Sequence, residues 1–412
     1  MKNVRQAFGL ASSRAGWRKL LQALQRQRTG AADKISTRLR ENIGFGSNPG
    51  NLRMFEYRPP SLADNPALVV VLHGCTQTAA GYDLGAGWST LADRYGFVLL
   101  FPEQQRSNNP NGCFNWFQPA HSQRGGGEPL SIRQMIEKSI VDHEIDRRRI
   151  FVTGLSAGGA MTSNLLACYP EVFAAGAIVA GLPYGAATSV QQAFETMFQC
   201  PSRPAPEWGD LVRKASPHRG PWPRISVWHG NADKTVIPPN AREIIKQWTN
   251  VHGLPMSPSA KTRVDGFPRE VWINELGDEL IESYTIANMA HGTPLAVGEV
   301  EGACGAPGPF LLSVGISSSY HIAKFFGIVV ARPRAERNTS ADVPQIYVAP
   351  RDYQETGPAL DGEILDNDDD AFHSPRPKPQ PKSQPKSPPL PHVAEIGMVI
   401  NKALRAAGLI KD

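Results

Sequence analysis

A serine lies at the centre of a glycine-flanked pentapeptide, Gly154-Leu-Ser-Ala-Gly158, which matches the pattern G-x-S-x-G. The apolar run 150–153 precedes it and the helical pattern 157–168 follows it, so a strand, a tight turn and a helix are predicted around Ser156. A Cβ at either glycine would collide with the neighbouring strand or helix in so sharp a turn. A serine placed there, beside the free N–H groups of a helix N-terminus, is suited to nucleophilic attack.

A neutral serine hydroxyl needs a base to take its proton, and the base needs a carboxylate to orient it. The apolar run 225–228 leads into a loop that carries Asp233, and a strand predicted at 282–286 leads into a loop that carries His291. Serine, acid and histidine therefore follow one another in the order that this kind of turn requires. The alternatives for the base and the acid are His218, His229, His252, His321, Asp265 and Asp278.

The negative charge that develops on an attacked carbonyl oxygen needs two aimed N–H donors. Ala157, directly after the serine, is expected to supply one of them. His73-Gly-Cys75 directly follows the apolar run 69–72, and there Gly74 allows close approach of the backbone. We expect Cys75 to supply the second N–H and His73 to orient the loop; the alternative is that His73 and Gly74 form an ordinary turn.

The elements that position these residues alternate between buried strands and helices. Apolar runs predict strands at 54–57, 67–72, 97–101, 149–153, 174–179, 225–228 and 282–286, and helical patterns occupy 82–95, 132–143, 157–168, 241–249 and 319–325. Buried strands that alternate with helices predict an α/β fold with a mainly parallel central sheet and helices on both faces.

The chain has 412 residues, of which 43 are Lys or Arg and 38 are Asp or Glu. We predict a basic, partly helical leader at 1–40, a catalytic domain at 41–333, an acidic and then Pro/Lys-rich disordered linker at 334–391, and an amphipathic helix at 392–412. The formal net charge of +5 is mild for this length, which argues against nucleic-acid binding.

No apolar run approaches the roughly 18 residues of a membrane span, so no transmembrane segment is predicted. The leader shows no secretory signal; its helix either lies solvated on the domain or attaches the protein to a membrane or granule surface. Five cysteines without a CxxC pair give no zinc signature, and neither a metal nor a cofactor is expected. The compartment stays open between the outside of the cell, the cytoplasm and a granule surface.

Several motifs in one order resemble the poly(3-hydroxybutyrate) depolymerase family of esterases, which is related to feruloyl and acetylxylan esterases. The motifs are Leu72-His-Gly-Cys-Thr-Gln77, Phe114-Asn-Trp116, Gly154-Leu-Ser-Ala-Gly-Gly159, His229-Gly-Asn-Ala-Asp233 and Gly315-Ile-Ser-Ser-Ser-Tyr-His-Ile322. The resemblance covers about residues 45–330 and implies an α/β-hydrolase fold.

Carried over by position, the resemblance implies a catalytic triad of Ser156, Asp233 and His291, with the oxyanion hole at the loop 73–75. It also implies a disulfide between Cys75 and Cys113, although free thiols in a reducing compartment are the alternative. The aromatic residues Phe114, Trp116 and Phe117 either line the substrate surface or belong to the core.

The resulting hypothesis is a serine esterase that cleaves poly(3-hydroxybutyrate) or short hydroxyalkanoate oligomers through an acyl-enzyme. The first alternative is a feruloyl or acetyl(xylan) esterase, and the second is a hydrolase fold that binds without catalysis. Secreted members of the family carry a signal peptide and a polymer-binding domain. Neither is expected here, which argues against attack on crystalline polymer.

Overall fold

The computed structural model describes residues 37–329. Within this range the strands are β1 (Arg40–Asn42), β2 (Arg53–Tyr57), β3 (Leu68–Leu72), β4 (Val98–Glu103), β5 (Ile150–Leu155), β6 (Ala175–Val179), β7 (Arg224–Gly230), β8 (Ala260–Val264), β9 (Phe267–Ile273), β10 (Glu279–Ile286), β11 (Thr293–Leu295) and β12 (Leu311–Ser313). The predicted leader helix, linker and C-terminal helix lie outside the described residues.

The helices of the described range lie between these strands. They are α1 (Ala79–Ala86), α2 (Trp88–Tyr95), α3 (Gly127–His143), α4 (Ala157–Cys168), α5 (Val190–Phe198), α6 (Ala205–Lys214), α7 (Pro239–His252) and α8 (Ser318–Phe325), with one short 3-10 turn at Pro119–His121. No helix among residues 37–329 is long and apolar enough to cross a membrane.

Ten strands form one sheet in the order β1-β2-β4-β3-β5-β6-β7-β10-β9-β8. The six central strands, from β4 to β10 in this order, pair in parallel, and the strands at both edges pair antiparallel. The predicted α/β fold with a mainly parallel sheet is confirmed. The strands β11 and β12 form a separate parallel pair.

The core has two layers because alternate residues of each central strand face opposite sides of the sheet. On β3, Leu68, Val70 and Leu72 pack on the side of α3, α4 and α7, whereas Val69 and Val71 pack on the side of α1, α2 and α8. All five residues of β3 are buried, as the continuous apolar run predicts for a strand covered on both faces.

Several elements differ from the predicted ones. The helix expected at 82–95 is two helices, because Gly87 adopts φ 76° and a Cβ there would lie 2.3 Å from the backbone N of Gly305. The connection between β6 and β7, expected without helices, contains α5 and α6. The edge strands β8 and β9 were also not predicted, since their residues are partly exposed and lack a continuous apolar run.

Candidate active site

The chain order of the sheet creates a crevice where β3 and β5 lie side by side. From β3 the chain crosses to β4 on one side, while β5 pairs with β3 on the other, so the loops after β3 and β5 diverge at their carboxyl ends. Such switch points are the usual location of binding sites in open α/β sheets. Leu72 pairs with Gly154 here, which brings the loop at 73–77 beside Ser156.

The turn at Ser156 has the strained geometry that the sequence predicts. Ser156 adopts φ 57° and ψ −117°, a conformation that a residue with a side chain rarely adopts. A Cβ at Gly158 would lie 2.3 Å from the carbonyl oxygen of Leu72, and a Cβ at Gly154 would lie 2.4 Å from that of Gly158. Both glycines are therefore needed for β3, β5 and α4 to approach one another.

The backbone around Ser156 is fixed on both sides of the turn. Its N–H donates to the carbonyl of Val179 on β6 at 2.9 Å, and its carbonyl accepts from the N–H of Ala160 at 2.9 Å. The helix α4, which starts at Ala157, is buried at every position. This support holds the strained turn in place.

Asp233 and His291 come from loops that follow the paired strands β7 and β10. Gly230, the last residue of β7, pairs with Ile286, the last residue of β10. A Cβ at Gly230 would lie 2.2 Å from the carbonyl oxygen of Met289, so the two loops touch there. As a result His291 Nδ1 lies 2.7 Å from Asp233 Oδ2 although 58 positions separate the residues in the chain.

The Asp233 carboxylate is almost fully buried, with 3% of the residue exposed. It acts only as a hydrogen-bond acceptor. Oδ1 accepts from the N–H of Thr235 at 2.8 Å and of Val236 at 3.0 Å, and Oδ2 faces His291. Burial opposes ionisation, but the contacts with His229 and His291 outweigh it and hold the pKa of Asp233 below its ordinary value. The carboxylate is therefore charged at neutral pH.

The alternative residues from the sequence fall elsewhere or play another part. His321 on α8 lies 2.8 Å from Asp265, which is at the tip of the β8–β9 hairpin. Neither residue lines the cleft at Ser156. His229 also approaches Asp233, with its Nε2 3.4 Å from Oδ2 and 2.7 Å from the carbonyl of Val236. His229 therefore contacts the acid but does not line the cleft that contains Ser156.

Ser156 and His291 line one small, mainly apolar cleft. Its volume is about 40 Å³, room for roughly three water molecules. The cleft is lined by Gly74, Cys75, Thr76, Gln77, Leu155, Ser156, Met197, Thr235, His291 and Phe310. Within residues 37–329 no hydrogen bond joins the Ser156 hydroxyl to the imidazole; such contacts commonly tighten only when substrate binds.

Met197 and Phe310 are among the residues of this cleft that were not identified from the sequence. Met197 lies on α5, whose apolar residues are Val190, Ala193, Phe194 and Met197. Their helical spacing is a signal in the sequence that could have predicted this helix. Phe310 reaches the cleft because β12 pairs with β11, and its ring centroid lies 6.1 Å from that of His291. Its φ of 62° gives no recognisable signal in the sequence.

The loop that follows β3 places a free N–H in the same cleft. Gly74 N–H donates to Gln77 Oε1 at 2.8 Å and Thr76 N–H donates to Asn111 at 2.7 Å. In the described part of the chain, the N–H of Cys75 between them has no acceptor. The N–H of Ala157 is also free of an intrahelical partner because Ala157 is the first residue of α4.

His73 is an internal support for this loop. Burial lowers the pKa of His73 to about 4, so the ring is neutral. The N–H of Gln104 donates to Nε2 at 3.1 Å, which places the ring proton on Nδ1, 2.8 Å from the carbonyl of Gly74. The ring also packs against Phe114, with centroids 5.0 Å apart.

A disulfide joins Cys75 to Cys113. The three aromatic residues beside Cys113 do not line the cleft at Ser156. Phe114 and Phe117 are 0% and 5% exposed and belong to the core, and Trp116 borders a separate groove with Tyr184 and Leu211. The structure therefore favours core packing over substrate contact for Phe114 and Phe117, because both side chains are buried in the hydrophobic core.

In the range 37–329, His, Cys, Asp and Glu side chains form no group of three or more that could hold a metal ion. The chemistry available at the cleft is that of a hydroxyl, an imidazole paired with a buried carboxylate, and the free N–H of Cys75, with the free N–H of Ala157 next to Ser156 in the chain.

The chain is similar to known esterases. Residues 52–271 match the family model described as Esterase PHB depolymerase. The chain is 48% identical over 286 residues to poly(3-hydroxyalkanoate) depolymerase C of Paucimonas lemoignei, covering 69% of each chain. It is 36% identical over 274 residues to feruloyl esterase B of Neurospora crassa, covering 64% of this chain and 91% of that protein.

Among solved structures, acetyl xylan esterase from Aspergillus awamori superposes with a TM-score of 0.60 at 27% identity, covering 71% of this chain and 99% of that one. The family match spans more than half of the chain, and the fold is that of the α/β-hydrolase esterases. The protein belongs to the Esterase PHB depolymerase family.

Proposed function

We propose that this protein is a serine esterase that cleaves carboxylic esters through an acyl-enzyme, with Ser156 as nucleophile, His291 as base and Asp233 as the carboxylate that orients it. The observation that carries the proposal is the 2.7 Å contact between a buried, ionised Asp233 and His291, which lines the same cleft as the strained Ser156 turn. Family membership supports the same chemistry.

The hydrogen bonds of Asp233 determine which ring nitrogen of His291 carries the proton. Its Oδ2 accepts from His291 Nδ1–H, which leaves the Nε2 lone pair free to accept the Ser156 proton. The Ser156 oxygen then attacks the ester carbonyl, and the negative charge moves to the carbonyl oxygen. The N–H groups of Cys75 and Ala157 would hold that oxygen.

Collapse of the tetrahedral intermediate expels the alcohol, which takes the proton from His291, and leaves the acyl group on Ser156. Water then enters, gives a proton to His291, and attacks the acyl carbonyl. The second intermediate releases the carboxylic acid, and the proton returns to Ser156. The Asp233 carboxylate stabilises the imidazolium in both halves without taking its proton.

The acyl group that this cleft favours is short and aliphatic. The cleft is about 40 Å³ in volume, and Leu155, Met197 and Phe310 make its wall largely apolar. Together with the similarity to poly(3-hydroxyalkanoate) depolymerase C, this favours poly(3-hydroxybutyrate) and short hydroxyalkanoate oligomers as substrates. An acetyl group would also fit, which keeps acetylxylan-type esters as a second candidate.

The test is a comparison of initial rates on 3-hydroxybutyrate trimer, acetylated xylo-oligosaccharide and methyl ferulate at equal concentration. We expect the trimer to give the highest kcat/KM and methyl ferulate the lowest, because the ferulate acyl group is the largest and stiffest of the three and the cleft beside Ser156 is small. Hydrolysis of methyl ferulate faster than the trimer would contradict the proposed substrate class and leave the esterase mechanism intact.

A further inference from the structure

The position of the Cys75 N–H depends on a second loop, residues 104–118, which the proposed mechanism does not use. This loop contacts the turn at 73–77 through two hydrogen bonds and one covalent bond. These are Gln104 N–H to His73 Nε2 at 3.1 Å, Thr76 N–H to the Asn111 carbonyl at 2.7 Å, and the disulfide Cys75–Cys113. Any shift of the 104–118 loop would therefore be passed to Cys75.

One buried carboxylate holds the 104–118 loop from below. Glu128, in the first turn of α3, is 0% exposed. Its Oε1 accepts from Gln104 Nε2 at 2.6 Å and from Asn115 Nδ2 at 2.8 Å, and its Oε2 accepts from the Asn115 N–H at 2.9 Å. Both carboxylate oxygens are thus occupied, and each of these donors belongs to the loop.

The two residues that Glu128 contacts extend the network to the ends of the loop. Gln104 donates to the Cys113 carbonyl at 3.2 Å, and Asn115 Oδ1 accepts from Asn109 and Gln118 at 3.0 Å each. Chains of buried hydrogen bonds of this kind fix one loop conformation when every member has a partner.

Glu128 is buried without a cationic partner in the described part of the chain. Burial raises the pKa of Glu128 to about 7 even though its three hydrogen bonds oppose the rise. Within the described residues no lysine or arginine pairs with it, and the Nδ1 atom of His121 lies 3.7 Å away. A carboxylate buried without a cation is costly, so its presence beneath the 104–118 loop indicates that the position of this loop matters.

We propose that Glu128 is a positioning residue for the oxyanion hole: through the 104–118 loop and the Cys75–Cys113 bond, its carboxylate sets the direction of the Cys75 N–H. The inference rests on the proposed function, in which that N–H holds the oxyanion. Glu128 itself touches no substrate. A small displacement of the Cys75 N–H is sufficient to lower the rate, since a misplacement of about 1 Å at a reacting centre can cost about 10²-fold in rate.

The test is Glu128→Gln beside the matched control Glu137→Gln, which changes a partly exposed glutamate of the same helix. A glutamine keeps the shape of the side chain but turns one acceptor into a donor, which must then face at least one N–H of Gln104 or Asn115. The concentration of reactive Ser156 is first titrated with a fluorophosphonate. The kcat and KM for p-nitrophenyl butyrate and the Ki of a trifluoromethyl ketone are then measured per titrated site.

For Glu128→Gln we expect kcat to fall about 10- to 100-fold, KM to stay within threefold, and the Ki of the ketone to rise by the same factor as kcat falls. The ketone mimics the tetrahedral oxyanion, so its affinity reports the donors and not overall folding. Glu137→Gln should match the wild type. A Glu128→Gln protein with a lower Tm but unchanged kcat and Ki would overturn the inference, since Glu128 would then be structural only.

Asn115→Ala gives a second, milder variant that is informative if Glu128→Gln does not fold. It removes the Nδ2 donor to the carboxylate and the Oδ1 acceptor of Asn109 and Gln118. Glu128 keeps its bonds to Gln104 and to the Asn115 N–H, so we expect a smaller fall in kcat and a rise in Ki by the same factor. Unchanged kcat and Ki in Asn115→Ala would contradict the inference. Failure of the proposed function looks different, because the wild type itself would then not react with the fluorophosphonate.

Discussion

Asp233→Asn is expected to abolish most of the activity by reversing the direction of one hydrogen bond. The asparagine carbonyl must take the place of Oδ1, which accepts from the N–H groups of Thr235 and Val236 at 2.8 and 3.0 Å. Its NH2 group then faces His291 Nδ1, where Oδ2 now lies at 2.7 Å. A donor there forces Nδ1 to become the acceptor, so the ring proton moves to Nε2.

With the proton on Nε2, His291 can no longer accept the Ser156 proton. The same change in other serine hydrolases lowers kcat roughly 10⁴-fold, which corresponds to about 5 kcal/mol of transition-state stabilisation. We expect a loss of this size in kcat for p-nitrophenyl butyrate near pH 7, with little change in KM. Initial-rate kinetics on titrated protein would measure it.

The matched control is Asp265→Asn, because Asp265 makes a similar contact of 2.8 Å with His321 outside the cleft. It is expected to retain wild-type kcat within a factor of three. A loss of less than tenfold in Asp233→Asn, or an equal loss in Asp265→Asn, would refute the assignment of Asp233.

Two further predictions concern stability. The Cys75–Cys113 bond closes a loop of 38 positions, so reduction or Cys113→Ser is expected to cost up to about 4 kcal/mol in the free energy of unfolding, measured by urea titration; a change below about 1 kcal/mol would contradict this. Because the pKa of Glu128 is raised to about 7, the folded protein holds this proton more tightly than the unfolded chain. Its contribution to stability is therefore full below about pH 4.5 and falls by about 3 kcal/mol as the pH rises through 7. The free energy of unfolding of the wild type and of Glu128→Gln, measured from about pH 4.5 to above pH 7, should show this fall only in the wild type. The same pH dependence in both proteins would refute the prediction.

The parts of the site that the sequence predicts are those fixed by local backbone geometry. The G-x-S-x-G turn could be identified because Gly154 and Gly158 must lack a Cβ and because a strand precedes Ser156 and a helix follows it. Asp233 and His291 could be placed because each lies on the loop that follows a central strand. The contact between them depends on the pairing of β7 with β10, which the sequence order alone does not determine.

The parts that could not be predicted arise from contacts between distant segments. Phe310 reaches the cleft only through the pairing of β11 with β12, two strands of three residues each. Glu128 reads in the sequence as an ordinary acidic residue near a helix start, and its burial beneath the 104–118 loop becomes visible only in three dimensions. Phe114 and Phe117 illustrate the opposite case, since aromatic type alone does not distinguish core from binding surface.

The most direct test of the account is to identify the residue that carries the acyl group. Protein mixed with p-nitrophenyl butyrate is quenched in acid within the first turnover and examined by intact-mass and peptide mass spectrometry. We expect one butyryl group per chain, on the peptide that contains Ser156, and none in Ser156→Ala. An acyl group on another residue, or wild-type hydrolysis by Ser156→Ala, would contradict the assignment of Ser156 as the nucleophile.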